Sequence, residues 1–80
     1  ATHGTGPAIA GKNIANPCSE ILSAQMMLRH MGWNEAADLI EKGVAAMIAS
    51  GCVTADLAAL VEGAVTLTCS GFGDELIAKL

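Results

Sequence analysis

The residues of this chain best suited to chemistry lie together near its start, in the stretch HGTGPAIAGKNIANP from His3 to Pro17. Gly4, Gly6 and Gly11 punctuate it, and Pro7 and Pro17 are the chain's two prolines. Glycine admits positive φ, whereas proline fixes φ and removes a backbone donor. A segment punctuated in this way is neither a regular helix nor a central strand, so a shaped loop is expected. The N–H groups of Gly4, Thr5 and Gly6 have little side-chain cover and can approach a ligand closely. Asn16-Pro17 reads as the N-cap and first residue of a following helix. A bare loop feeding a helix N-terminus suits an anionic or nucleotide-like ligand, and His3 is the side chain best placed to touch one.

Two better-known phosphate loops are nearly spelled here and both fail. Gly6 to Asn13 approaches GxxxxGK[ST], but Asn13 stands where a hydroxyl should hold Mg²⁺, and Pro17 starts the helix too late. GxGxxG fails because Ile9 occupies the third glycine position. His3 and His30 lack a Cys or carboxylate at ligand spacing, so no metal site is assigned. His30 reads as a helix-end or core histidine. No nucleophile, base and orienting group can be assembled, so no catalytic residue is assigned.

Stepping outward to the elements that must hold the loop, residues 1–2 read as the end of a strand. A helix is expected from Pro17 to Met31, closed by Gly32, with Ile21, Leu22, Ala24, Met26, Met27, Leu28 and Met31 on a broad buried arc and its methionines in the core. Arg29 and His30 fall in its last turn, where cations complement the helix dipole. Asn34 should cap a second helix running to about Ser50, its inner face made by Ala36, Ile40, Val44, Met47 and Ile48. Gly43 in mid-helix costs about 1 kcal/mol against Ala, which points to close helix packing. Thr54 should cap a short helix over Ala55 to Glu62. Ala64 to Cys69 is extended, and Ser70 should cap a last helix with Phe72, Leu76, Ile77 and Leu80 turned inward.

Bulk properties narrow the setting. The chain has 80 residues, 52% of them apolar, and nine glycines besides; average usage for these types together is only ~45–50%. So small a chain buries only about 60% of its unfolded surface, so it should oligomerise or belong to something larger. Opening on Ala1-Thr2-His3 without a Met, it reads as a piece of a longer protein. A net charge of −4, with Lys12, Arg29, Lys42 and Lys79 as the cations, leaves no basic stripe for nucleic acid. No apolar run reaches the ~20 residues of a membrane span, and no signal peptide opens the chain. Cys18, Cys52 and Cys69 are odd in number and lack CxxC spacing, so neither a disulfide framework nor a zinc site follows, and a reducing, cytoplasmic setting is expected.

The loop resembles the HGTAPxxAGxxxxNP cofactor loop of the metal-dependent decarboxylating dehydrogenases acting on isocitrate, isopropylmalate, homoisocitrate and tartrate. ILSAQMMLRHMGWNEAADLIEKG resembles their bacterial isocitrate branch, and CSGFGDELIAKL resembles the helix with which those enzymes end. The resemblance implies an α/β parent of which residues 1–80 are the C-terminal part of the cofactor-binding domain, with Leu80 at or near a natural C-terminus. Residues 3–17 would be the cofactor loop and residues 17–80 a mostly α part of three to four helices. It implies a homodimer that oxidises isocitrate to 2-oxoglutarate in the tricarboxylic acid cycle, using NAD or NADP and Mg²⁺ or Mn²⁺. By position His3 would lie against the adenine, Gly4, Thr5 and Gly6 would contact the adenosine half, and Asn16 would bind the adenine edge. Ala8, Ile9 and Ala15 complete the set. NADP-dependent members carry Lys-Tyr in place of Ala8-Ile9, and Tyr and Arg in place of Ala55 and Ala59, so NAD is weakly preferred. Gly6 replaces the usual Ala and should loosen the turn. Metal ligands, substrate ligands and the acid–base pair would lie upstream, leaving the 80 residues inactive alone. An isopropylmalate dehydrogenase segment, favoured by TADLA at 54–58, and a stand-alone helical interaction module are the alternatives.

Overall fold

The computed structural model describes residues 3–80; the strand end expected at Ala1-Thr2 lies outside them. After the loop, whose one regular feature is a 3₁₀ turn at Pro7–Ile9, the order is α1 (Cys18–His30), α2 (Asn34–Ala49), β1 (Cys52–Thr54), α3 (Ala55–Ala58), β2 (Val65–Leu67) and α4 (Cys69–Lys79). Four helices match the mostly helical reading. The extended stretches do more than connect: β1 and β2 pair in parallel, with Cys52 opposite Val65 and Thr54 opposite Leu67.

Helix ends follow the glycines. Gly32 takes φ 86°, and the Gly32 and Trp33 N–H groups donate to the carbonyls of Arg29 and Leu28. That double closure of a helix end needs a left-handed residue, which glycine supplies without a Cβ clash. The same turn leads Trp33 directly into α2, where its carbonyl accepts from Ala37 N–H at 3.1 Å. Asn34 is therefore the first helical residue and not the cap. The third helix stops at Ala58, well short of Glu62. Leu60 beyond it is 81% exposed, and a short helix without a face to bury does not propagate. The last helix starts before the expected cap: Thr68 Oγ1 accepts from Gly71 N–H at 2.9 Å, so Thr68 caps α4 and Ser70 lies inside it.

The core joins α2 to α4 through Val44, Met47, Phe72 and Leu76, with Ile21, Leu22 and Ile40 packed partly against it. Gly43 makes this approach possible. A Cβ there would stand 2.8 Å from Leu76 Cδ1 and 3.1 Å from Leu80 Cδ2, which is the close packing its position implied. The inner face of α2 is rotated from expectation, because Ala37 is fully buried while Ile48 is exposed. Met26, Met27 and Met31 are exposed along α1, and Ile77 and Leu80 are exposed on α4. These apolar residues obey the helical period, but no element of the described chain covers them.

Candidate functional site

The loop, the start of α3 and the start of α4 line an open hollow of about 600 Å³. His3, Gly4, Thr5 and Gly6 border it together with the apolar Ile9, Ala10, Ile14 and Ala15. Asn13, Asn16, Asp56 and Cys69 complete the lining. Of the residues expected at a cofactor, His3, Gly4, Thr5, Gly6, Ile9, Ala15 and Asn16 border this one space. Ala8 does not; it sits exposed in the middle of the 3₁₀ turn. His30 is far from the hollow in character, an exposed residue ending α1.

Local chemistry explains the shape. Gly6 adopts φ 57° and its carbonyl accepts from Ile9 N–H at 3.0 Å, opening the turn. An Ala would be disfavoured there by about 1–2 kcal/mol, so in this chain Gly6 sets the turn where loosening was expected. His3 Nδ1 lies 2.8 Å from the Gly4 carbonyl. A carbonyl only accepts, so Nδ1 carries the proton, and in the neutral ring Nε2 is left as an acceptor.

Asn16 binds in two directions. Its Oδ1 accepts from Cys18 N–H at 2.9 Å; the helix begins at Cys18 with Pro17 in the cap position, so Asn16 stands one residue before the cap expected of it. Its Nδ2 donates to Asp56 Oδ2 at 3.0 Å, and a carboxylate and a backbone N–H together fix which way the amide faces. Asp56 was not singled out from sequence. It lies next to one of the expected cap positions, and a lone Asp in a first turn reads as helix-dipole compensation. Here the buried Thr54 hydroxyl donates to its Oδ1. Desolvation would raise the Asp56 pKa, but hydrogen bonds from Thr54, Asn16 and the N–H groups of Leu57 and Asp56 outweigh it and hold the carboxyl below its usual value. Burial, with the Asp56 charge behind it, pushes the Cys18 thiol upward, so that thiol is not activated.

The hollow thus offers backbone amides, one imidazole, the carboxamides of Asn13 and Asn16, and one ionised carboxylate among apolar residues. No Lys or Arg lines it; Lys12 sits on the outer turn. Among the described residues no group of three His, Cys, Asp or Glu could hold a metal ion. No helix among them is long and apolar enough to cross a membrane. The arrangement can bind and orient a ligand.

A model of the isocitrate/isopropylmalate dehydrogenase family matches residues 1–76. The chain is 60% identical over all 80 residues to an isocitrate dehydrogenase (NADP) of Pseudomonas aeruginosa, of which it covers 19%. It is 54% identical over 80 residues to one of Staphylococcus epidermidis, again 19% of that protein. Over 77 residues, 96% of the chain, it is 56% identical to isocitrate dehydrogenase (NADP) 1 of Colwellia maris, covering 18% of it. The chain spans about a fifth of the length of these relatives.

Proposed function

The chain belongs to the isocitrate/isopropylmalate dehydrogenase family, and from that premise we propose that its hollow holds the adenosine side of a nicotinamide dinucleotide in an isocitrate dehydrogenase. The observation that carries this is the convergence of the loop residues and Asn16 on one hollow of about 600 Å³, within the ~300–1,000 Å³ usual for a small-molecule site. His3 would meet the base, Gly4, Thr5 and Gly6 would offer N–H groups and a hydroxyl, and Asn16 would offer an amide N–H held in place by Asp56. The dinucleotide supplies the hydride acceptor for oxidation of isocitrate to 2-oxoglutarate. The residues of this chain bind and orient it. Ligands for Mg²⁺ or Mn²⁺, the substrate-binding groups and the acid–base pair belong to other parts of a longer, cytoplasmic, dimeric protein.

Cofactor choice has two readings. The relatives' names favour NADP. The hollow favours NAD, because no cation lines it and Asp56 faces it. Ala8, Ile9, Ala55 and Ala59 offer no charge or hydrogen bond to a 2′-phosphate, and charge-assisted bonds are worth about 1.5–3 kcal/mol each.

The test is a chimera in which this chain replaces the matching 80 residues of the Pseudomonas aeruginosa relative. It should convert isocitrate to 2-oxoglutarate with dinucleotide, and its NADP-to-NAD ratio of kcat/KM should fall at least tenfold below the relative's own. A folded chimera without activity would overturn the proposal. An unchanged ratio would overturn the NAD reading alone. Activity on isopropylmalate would select the runner-up substrate.

A further inference from the structure

Resting on the dinucleotide reading above, a second role belongs to one of the residues that border the hollow. Asn13 is the one non-glycine residue with positive φ, 56°, among the described residues. Its carbonyl and both polar atoms of its side chain are turned to α4. Its carbonyl accepts from Cys69 N–H at 2.9 Å, its Oδ1 accepts from Ser70 N–H at 3.0 Å, and its Nδ2 donates to Ser70 Oγ at 2.8 Å.

The first N–H groups of a helix have no partner within it. The Phe72 N–H makes the first bond of α4 itself, to the Thr68 carbonyl, and the Gly71 N–H is taken by Thr68 Oγ1. The two that remain, Cys69 and Ser70, are taken by Asn13. The loop therefore completes the cap of α4 from 57 residues away. Asn13 and Cys69 also both border the hollow, so the bond that caps the helix joins the loop to the part of the lining that α4 supplies. A left-handed non-glycine residue is held only where its surroundings over-determine it, and such residues cluster at ligand clamps.

We propose that Asn13 is a positioning residue, a latch that fastens the cofactor loop to the N-terminus of α4 and keeps the hollow formed before a dinucleotide arrives. Asn tolerates this backbone region better than Ala. Asp would keep the Oδ1 acceptor and add a charge that a helix N-terminus favours. Gly would keep the backbone freedom and lose the side-chain bonds. The three substitutions separate conformation from contact.

In the chimera, Asn13→Ala should raise KM for the dinucleotide roughly tenfold, as expected for losing one or two hydrogen bonds, with kcat within twofold. Asn13→Asp should restore KM, and Asn13→Gly should resemble Ala. Hydrogen exchange over residues 69–71 should quicken in the Ala and Gly variants and not in the Asp variant. Unchanged KM and unchanged exchange in Asn13→Ala would overturn the latch, as would full rescue by Gly. A parallel fall in kcat and KM-independent loss of activity would mark a merely structural residue and overturn it too. Should the unsubstituted chimera turn over nothing, the dinucleotide reading falls, while the exchange measurement still decides whether Asn13 fastens the loop.

Discussion

Asn16 serves two neighbours with one amide, and the consequences are measurable. It takes the first N–H of α1, that of Cys18, from one residue before the cap, and donates to Asp56 through Nδ2. Asn16→Ala removes the bond to Cys18, a loss of about 1 kcal/mol, and also removes one of the bonds that lower the Asp56 pKa. A carboxyl with a lowered folded-state pKa adds stability above its unfolded value, near 3.9, and loses it as pH falls through the folded one. Melting temperatures of the chimera measured from pH 6 down to 3 should therefore fall less steeply in Asn16→Ala than in the parent. An equal slope would show that Asp56 does not depend on Asn16. At this scale the sequence pointed to Asn16 at the start of α1 but set the cap one residue early, because Asn before Pro is a strong cap signal and here Pro17 takes the cap position. It was silent about Asp56, whose partners Thr54 and Asn16 meet only through the fold.

Among elements, the α2–α4 contact holds the buried core. A Cβ on Gly43 would press on Leu76 Cδ1, and Leu76 is buried, so it has little room to swing away. Ala gains about 1 kcal/mol of helix propensity over Gly, against ~1–3 kcal/mol for overpacking. Gly43→Ala should thus be destabilising by about 1 kcal/mol, and Phe72→Ala by about 3–5 kcal/mol, both read from denaturation midpoints of the chimera. A stabilised Gly43→Ala would mean that α4 stands off further than this. Helix starts and stops were largely legible because glycine and capping chemistry is local. The caps at Thr68 and Trp33 were not, since Ser70 and Asn34, one or two residues further on, offer competing capping chemistry. The β1–β2 pairing was not legible either: three-residue strands carry too few side chains for a period, and the pairing is non-local.

For the whole molecule, the telling observation is how much apolar surface stays uncovered. Leu60, Ile77, Met26 and Trp33 are 81%, 69%, 68% and 59% exposed. Periodicity placed several of these inside, and it could say only that they seek cover, not whether these 80 residues provide it. Exposed apolar patches of this kind mark interaction surfaces or aggregation-prone ones. The isolated chain should bind a hydrophobic dye and melt without a sharp transition. A cooperative melt at micromolar concentration, without dye binding, would favour the stand-alone helical module over the dehydrogenase segment. Arg29, held between Asp38 at 2.8 Å and Glu41 at 3.1 Å, ties α1 to α2 from outside, but exposed pairs contribute little against that deficit.

The bonds between Asn13 and Ser70 also bear on the order in which the chain assembles. Helices α1 and α2 are joined by three residues and can meet early, because closing a short loop is fast and entropically cheap. The Asn13–Ser70 bonds close 57 residues at once and bring little apolar burial with them. They should form last during folding and open first on warming, so the hollow matures only when everything between its two walls is already in place. A ligand seated there would report a finished chain.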